Sequence, residues 1–446
     1  MKKIMLIILI LGVYLNALYI KEDEFNEKVY VRTYGKPTND AIIFVHGMGD
    51  EASTTWDETI ESLRDDYYIL TFDLPGFGKS TKSNQLYSMK RYVKFIHNIK
   101  NKFIDKKYHL IGHSMGGAIS LKYAHTYQRE LKSLVLVDAA GILSKQAFSQ
   151  FMIKNGMTSF FGASVKDLNL DVAIAKIPAV IESFIPINIE TLINSSSVRK
   201  HLLQSNPTAV SALSLVKEDF SGIPEDIYLN TRIIWGEDDN IAPLRTGYVL
   251  NKLIRHSRLN IIKGAKHVPI VDSFTEYISY IKEHLKYPYY NKSIKRNNIN
   301  NTNKKRYIIL EDVNGRVLSG DIEDLELVNC KNITIKNANI KKFTIINSRV
   351  NILHSDIDIS KVSYIIDSTI DMTVSSIKNT LPIEIYSSNI DFAGVNILSQ
   401  EDTFLNLNTM FDQKFIFSLS SSRTTSLHGM YKIKKSDSHM YKVDDN

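Results

Sequence analysis

One segment constrains the fold of this chain more than any other: the run YHLIGHSMGG, from Tyr108 to Gly117. An apolar stretch typical of a buried strand leads directly into the pattern G-x-S-x-G. In that pattern the serine stands on a sharp turn between a strand and a helix, and Gly112 and Gly116 leave the space that the turn requires. The segment therefore predicts a strand, a turn that lifts the Ser114 hydroxyl out of a sheet, and a helix that begins beside it.

The segments on both sides of this turn alternate between strand-like and helix-like patterns. Such alternation is typical of a parallel sheet covered by helices, so residues about 25–287 are predicted to form an α/β domain. The predicted strands are Lys28–Thr33, Ala41–His46, Tyr68–Asp73, Tyr108–Gly112, Leu134–Asp138, Thr231–Gly236 and Leu259–Ile262. The predicted helices are Trp56–Arg64, Met89–Phe103, Gly116–Tyr127 and Ser273–Leu285.

Residues about 142–228 interrupt this alternation. They contain no strong strand pattern, and large apolar side chains crowd into their first part. These side chains are Phe148, Phe151, Met152, Met157, Phe160 and Phe161. An apolar helical insertion within a sheet domain indicates a core domain with a cap.

Two turns can present backbone donors to one point. The serine turn places the N–H of Met115 at the start of a helix, where the helix dipole favours negative charge. Residues 46–49, HGMG, form a glycine-rich turn after another predicted strand, and this turn can aim the N–H of Met48 at the same place. Two such donors are what a developing oxyanion needs. His46 is interpreted as a structural histidine that braces its loop.

Acid and base candidates follow two later strands. The segment GEDDNIAP, residues 236–243, holds Glu237, Asp238 and Asp239, any of which can orient a histidine at the end of a strand. His267 follows the last predicted strand, and an imidazole with a pKa near about 6.5 can take a serine proton and return it. The order serine, acid, histidine is the one expected of this fold class.

Residues about 25–287 resemble the α/β-hydrolase superfamily in the order and spacing of several loops. The matching loops are HGMG at 46–49, DLPGFGKS at 73–80, GHSMGG at 112–117, LVLVDAAG at 134–141, WGEDDNIAP at 235–243 and GAKH at 264–267. The resemblance implies an α/β-hydrolase sheet with a helical cap, Ser114 as nucleophile and His267 as base. The superfamily pattern G-x-x-D-x-x-x-P selects Asp239 as the acid. The N–H groups of Met48 and Met115 would form the oxyanion hole.

The same resemblance narrows the chemistry. Haloalkane dehalogenases and epoxide hydrolases carry an aspartate nucleophile, whereas this chain has Ser114. The HGMG form is similar to that of esterases, lipases and thioesterases and lacks the HGGPG of proline-releasing peptidases. We expect a serine hydrolase that cleaves a carboxylic ester, with no cofactor and no metal. A thioesterase or amidase on the same triad is the alternative. The aromatic side chains of the predicted cap are consistent with a pocket for a medium or long acyl chain, and equally with packing inside the cap.

The N-terminus predicts export. Met1 to Tyr14 reads MKKIMLIILILGVY, two lysines followed by an apolar run, which is the pattern of a secretory signal. Residues 1–20 are therefore predicted to be a signal peptide or an uncleaved membrane anchor. The run Ile4–Ile20 is near the lower length limit for crossing a bilayer. The expected location is periplasmic, secreted or membrane-anchored.

The net charge of +7 does not indicate a nucleic-acid partner. Seven basic residues and no acid lie within residues 286–306, KYPYYNKSIKRNNINNTNKKR, so the remainder of the chain is neutral. Residues 288–306 are therefore predicted to be a basic, Asn-rich linker rather than a binding face. The single cysteine, Cys330, excludes an intramolecular disulfide and any site that needs several cysteines.

Residues 307–446 contain a repeat. Variants of one turn, each followed by alternating apolar residues, begin at Asn329, Asn347, Asp367 and Ser387, with spacings of 18, 20 and 20 residues. A period near 20 predicts an all-β domain, a right-handed β-helix or β-solenoid, and a sandwich of ordinary hairpins is the alternative. The aspartates of this segment fit two interpretations: acidic ladders along one face, or turns that simply favour polar residues. These aspartates are Asp356, Asp358, Asp367, Asp371 and Asp391.

This domain gives a rival interpretation of the whole chain. A solenoid could contact the cell envelope and carry the biological activity, with the hydrolase domain auxiliary. The expected partners are otherwise a small-molecule ester or lipid substrate and no nucleic acid.

Overall fold

The computed structural model describes residues 17–141, 143, 193–201, 203–288, 306–399, 404–409, 416–420, 422–424 and 431–435. The chain divides into two compact units, Met1–Lys292 and Ser293–Asn446. Each unit is described by itself.

The N-terminal unit is built on an eight-stranded sheet with the order β1-β2-β4-β3-β5-β6-β7-β8. The first two strands pair antiparallel, β2 pairs antiparallel with β4, and every later neighbour is parallel. The strands are β1 (Ala17–Glu22), β2 (Glu27–Tyr34), β3 (Asp40–Val45), β4 (Tyr67–Phe72), β5 (Tyr108–His113), β6 (Leu131–Val137), β7 (Thr231–Gly236) and β8 (Ser257–Ile262). The six adjacent parallel strands, β3 to β8, have their carboxyl ends at one edge of the sheet, where side chains from distant parts of the sequence can meet.

Helices cover both faces of this sheet. The described helices are α1 (Asp57–Glu61), α2 (Met89–Phe103), α3 (Met115–Tyr127), α4 (Ser196–His201), α5 (Pro207–Lys217), α6 (Leu244–Leu253), α7 (Pro269–Asp272) and α8 (Phe274–Lys286). None of them is long and apolar enough to cross a bilayer.

The central strands are apolar on both faces because each face has a core of its own. Ile43 and Val45 of β3 pack in one cluster with Phe95 of α2, whereas Ile42 and Phe44 pack in another with helix α8. Strands buried on two sides read as continuous apolar runs, which is the pattern that predicted the sheet. The predicted α/β class is confirmed.

One predicted segment overlaps a strand, and two others lie largely outside the described residues. Strand β1 begins at Ala17, so the segment predicted as signal or anchor, residues 1–20, overlaps this strand at its last four positions; residues 1–16 lie outside the described part. Of the predicted cap, residues 142, 144–192 and 202 lie outside the described part too, and the rest includes α4 and α5. Of the predicted linker, residues 288–306, all but the first and last residue lie outside the described part.

The C-terminal unit winds as a solenoid with three short strands in each full coil. Every strand pair described in it is parallel, and neighbouring coils are in register at a spacing near 20: Arg349 pairs with Thr369, and Thr369 with Asn389. Hairpins would pair antiparallel, so the sandwich alternative is excluded and the predicted solenoid-like fold is confirmed.

The strands of this unit form two sheets along the solenoid. They are β9 (Tyr307–Glu311), β10 (Asn314–Ile322), β11 (Asp324–Val328), β12 (Lys331–Ile340), β13 (Phe343–Ile346), β14 (Arg349–Leu353), β15 (Asp356–Ile359), β16 (Ser363–Ile366), β17 (Thr369–Thr373), β18 (Ser376–Asn379), β19 (Ile383–Tyr386), β20 (Asn389–Ala393), β21 (Asn396–Ser399), β22 (Leu405–Thr409), β23 (Ile416–Ser420), β24 (Arg423–Thr424) and β25 (Tyr431–Lys435). Inward isoleucines from successive coils form one continuous core.

The repeated turn has a definite backbone geometry. Asn329, Asn347, Asp367 and Ser387 all adopt positive φ, between 43° and 53°. Short polar side chains tolerate this left-handed conformation better than bulky ones. The polar repeat is therefore explained by the corner that it occupies.

Candidate active site

The turn at Ser114 is so tight that only glycine fits at positions 112 and 116. Ser114 lies between β5 and α3 with φ 53° and ψ −122°, a strained conformation for a residue with a side chain. A Cβ on Gly112 would stand 2.3 Å from the carbonyl oxygen of Gly116. A Cβ on Gly116 would stand 2.2 Å from the carbonyl oxygen of Val45. Neither position can carry a larger residue without moving the backbone.

Ser114, His267 and Asp239 form one hydrogen-bonded chain. The Ser114 hydroxyl donates to His267 Nε2 at 2.9 Å, and His267 Nδ1–H donates to Asp239 Oδ2 at 2.9 Å. All three residues are buried. They follow β5, β7 and β8, so the parallel sheet brings the three sequence-predicted residues together.

The structure distinguishes Asp239 from the two acids that precede it. Glu237 and Asp238 are exposed, and Asp239 is buried beside His267. The second Asp239 oxygen, Oδ1, accepts the backbone N–H groups of Ile241 and Ala242 at 2.7 and 2.9 Å. These two bonds hold the carboxylate in place beside His267.

The two predicted backbone donors lie in the turns that the sequence suggested. Met115 is the first residue of α3, and Met48 follows β3. Within the described part of the chain, neither N–H donates to a protein acceptor. Their role as oxyanion donors stays a prediction.

His46 braces the loop after β3. Its Nδ1–H donates to the carbonyl oxygen of Gly47 at 2.6 Å, and its Nε2 accepts the N–H of Leu74 at 2.8 Å. Burial lowers its pKa to about 4, so the ring is neutral at neutral pH. This arrangement agrees with the structural role that the sequence suggested.

His113, the residue before the serine, contacts the base loop. Its Nε2–H donates to the carbonyl oxygen of His267 at 2.7 Å. Burial, and then the neighbouring His267, lower the pKa of His113 to about 3. This bond joins the nucleophile turn to the loop that carries His267.

The aspartates of the solenoid do not form a metal cluster within the described residues. Asp371 and Asp391 are paired in register on adjacent coils, Asp358 forms an ion pair with Lys341, and Asp356 accepts the Ser376 hydroxyl. Asp367 occupies a left-handed corner. In the described part of the chain no group of three or more His, Cys, Asp or Glu residues could hold a metal ion.

One acid beside the site was missed at the sequence level. Asp138 follows β6, is completely buried, and accepts the backbone N–H of Gly236 at 2.8 Å. The available indication was its position, because an acid at the carboxyl end of a strand next to β5 and β7 reaches the same edge of the sheet as the serine.

The chain is similar in sequence and in fold to several known proteins. Residues 40–163 match the family model described as the alpha/beta hydrolase fold. Lipase 1 of Psychrobacter immobilis is 24% identical over 255 residues, covering 56% of this chain and 78% of the lipase. The 2-hydroxy-6-oxo-6-(2'-aminophenyl)hexa-2,4-dienoic acid hydrolase of Metapseudomonas resinovorans is 25% identical, covering 52% and 79%. A thermophilic esterase from Thermogutta terrifontis, among the solved structures, is 22% identical, with a TM-score of 0.46 and coverage of 61% and 99%.

Proposed function

We propose that the N-terminal unit, which has the α/β-hydrolase fold, is a serine hydrolase that cleaves carboxylic esters through an acyl-enzyme. The observation that carries the proposal is the buried hydrogen-bonded chain Ser114–His267–Asp239 at the carboxyl edge of the parallel sheet. The match to the hydrolase family model and the similarity to a lipase support it.

Each step of the proposed reaction is assigned to a group of this chain. Ser114 Oγ attacks the ester carbonyl while His267 Nε2 takes its proton, and the resulting imidazolium faces Asp239. The N–H groups of Met48 and Met115 donate to the oxyanion, and each such donor is worth about 10²–10³ in rate. His267 then protonates the departing alcohol. Water, deprotonated by His267, releases the acid from Ser114.

The first test is hydrolysis of p-nitrophenyl esters of increasing chain length by the purified full chain. The wild type is expected to hydrolyse some of them, and Ser114→Ala is expected to reduce kcat by about 10⁶-fold without loss of folding. The acyl-chain length that gives the highest kcat/KM measures the size of the acyl pocket.

Ser120→Ala is a matched control for this test. Ser120 lies on the same helix, is fully buried, and its hydroxyl has no partner among the described residues. It should hydrolyse the esters as the wild type does. Equal ester hydrolysis by wild type and Ser114→Ala would exclude Ser114 as the nucleophile.

Thioester and amide substrates belong in the same assay. The triad chemistry is shared by esterases, thioesterases and amidases, which differ in leaving group. A kcat/KM higher for p-nitroanilides or acyl thioesters than for every ester would replace the ester proposal with one of these two activities.

We also propose that the chain is exported, on the basis of its N-terminal sequence. Two lysines and an apolar run precede strand β1, and a cleaved leader would have to end before Ala17 to leave that strand whole. Fractionation of cells expressing the full chain, with mass measurement of the N-terminus, tests this. Recovery of the intact chain in the cytosol would contradict it.

We propose in addition that the solenoid contacts the cell envelope, as the expected partner of an exported enzyme. Sedimentation of the full chain with purified envelope fractions is expected to show binding that Ser114→Ala leaves unchanged. Absence of binding to every fraction would contradict this proposal and leave the ester proposal untouched.

A further inference from the structure

A second carboxyl group lies directly behind the Ser–His–Asp chain. Asp138 follows β6, is completely buried, and has a left-handed backbone with φ 43°. Its Oδ1 accepts the N–H of Gly236 at 2.8 Å. Its Oδ2 is buried without any hydrogen-bond donor among the described residues. An acceptor oxygen that is buried and unpaired is unfavourable, whereas a protonated oxygen in the same place would be a donor.

The neighbour of this group is Asp239. The side chains of Asp138 and Asp239 are within hydrogen-bonding reach of each other, and both are excluded from water. The Asp239 carboxylate is already the acceptor of three hydrogen bonds, from two backbone N–H groups and the Nδ1–H of His267. Of this pair, Asp138 is therefore the carboxyl group that can carry a proton.

No cation compensates a second negative charge at this place. Among the described residues, the groups that act on Asp138 are Asp239 and the Gly236 N–H, and no lysine or arginine is among them. The nearby histidines are His267, which faces Asp239, and His113, whose lowered pKa keeps it neutral. Burial, and then the Asp239 carboxylate, raise the pKa of Asp138 well above its usual range. Two ionised carboxylates cannot share so small a dry space.

We propose that Asp138 keeps a proton on Oδ2 at neutral pH and donates it in a hydrogen bond to the Asp239 carboxylate. Asp138 is then a positioning residue for the reaction proposed above: it touches no substrate, and it holds Asp239 in the orientation that faces His267. This role rests on the proposed function, whereas the protonation itself does not.

The donor also helps to anchor the carboxylate that orients His267. The two backbone N–H groups hold Asp239 Oδ1 alone. With the Asp138 donor removed, fewer bonds hold the carboxylate against His267 Nδ1–H, and the histidine is kept less well in the tautomer that accepts the serine proton.

The protonation is tested by infrared spectroscopy, which needs no activity. A protonated carboxylic acid has a C=O stretching band that ionised carboxylates lack. At pH 8 the wild-type full chain should show this band, and Asp138→Asn should lose it. Asp312→Asn is the matched control, because Asp312 is exposed and has a left-handed backbone with φ 53°. It should keep the band. A band absent from the wild type, or retained in Asp138→Asn, would overturn the proposal even if no ester is ever hydrolysed.

The positioning role is tested by rescue. Asp138→Ala removes the donor and is expected to lower kcat by about 10–100-fold with little change in KM. Asp138→Asn restores a donor toward Asp239 and an acceptor toward Gly236, so it should recover most of the lost kcat. Equal kcat losses in the Ala and Asn variants would overturn the positioning role. If Asp138→Ala does not fold, Asp138→Ser takes its place in the comparison.

The pH profile distinguishes a proton donor from a charge. If Asp138 is neutral, Asp138→Asn leaves the acidic limb of the kcat/KM profile where it is in the wild type. If Asp138 is ionised, the same change removes a negative charge near His267, and the limb moves to lower pH. A shift of one pH unit or more would contradict the proposal. The result expected from the proposal is the infrared band in the wild type together with an unshifted acidic limb in Asp138→Asn.

Discussion

At the scale of single residues, the surroundings of a carboxylate decide which acid can serve His267. Glu237, Asp238 and Asp239 are consecutive and chemically alike, but only Asp239 is buried and bonded to His267 Nδ1. Its remaining oxygen accepts two backbone N–H groups, which restrict the orientation of the side chain. Glu237 and Asp238 are exposed, and Glu237 accepts the backbone N–H of Gly264 at 3.3 Å.

This difference predicts the effect of neutralising each acid. Asp239→Asn is expected to reduce kcat by about 10⁴-fold, because an amide facing Nδ1 no longer favours the histidine tautomer that accepts the serine proton. Glu237→Gln and Asp238→Asn are the controls and should change kcat less than about 3-fold. Steady-state kinetics on the best ester measures all three. A comparable loss in either control would assign the acid role elsewhere.

At the scale of elements, the solenoid turn is held by a ladder of buried hydroxyl groups. The backbone N–H of Cys330 donates to Ser348 Oγ, that of Ser348 to Ser368 Oγ, and that of Ser368 to Ser388 Oγ. Each of these serines is buried and follows a corner residue with positive φ. Stacked turns leave backbone donors inside the unit, and the hydroxyl of the next coil satisfies them.

Removing one step of this ladder should destabilise the C-terminal unit. Ser368→Ala leaves the N–H of Ser348 buried without its acceptor, which costs about 1–3 kcal/mol in the free energy of unfolding. Ser376→Ala is the control, because Ser376 is only half-buried and its hydroxyl bonds the exposed Asp356. Denaturant unfolding of the full chain measures both. An equal free-energy loss in the two variants would show that the ladder adds nothing.

At the scale of the whole molecule, buried neutral histidines make stability depend on pH. Burial lowers the pKa of His46 and His109 to about 4 and of His113 to about 3, and lowers that of His284 well below 6.5. His109 and His284 share one partner, the hydroxyl of Ser133, at 2.6 and 2.8 Å. Each of these histidines binds a proton more readily in the unfolded chain.

Stability is therefore expected to fall as the pH is lowered from about 6.5 towards 4, and to be fully present above that window. Each histidine changes the free energy of unfolding by up to about 1.4 kcal/mol per pH unit. The raised pKa of Asp138 changes this free energy in the opposite direction and offsets the contribution of one histidine. Thermal unfolding of the full chain across this range measures the slope.

A variant pair tests whether the buried histidines cause this slope. His109→Asn removes one buried titrating group and should flatten the dependence of unfolding free energy on pH. His201→Asn, at an exposed position, should leave it as in the wild type. The same slope in both variants would mean that other groups carry the acid sensitivity.

The sequence by itself determined the features that local patterns encode. Strand Tyr108–His113 and helix Met89–Phe103 follow from apolar spacing, which needs no knowledge of distant residues. The serine turn follows from Gly112 and Gly116, since no other residue fits there. The solenoid follows from a period near 20, because a chain that repeats its turns stacks them in register.

Only the tertiary structure decided the features that depend on contacts between distant segments. Strand β1 was missed because Ala17–Glu22 continues an apolar run, and only pairing with β2 identifies it as an edge strand. The bond from Ser114 to His267 spans 153 positions, so their distance depends on how the sheet orders its strands. Asp138 was indicated in the sequence only by its position after a strand, which is an ordinary place for an acid. Its importance depends on Asp239 and Gly236, which another segment of the chain brings beside it.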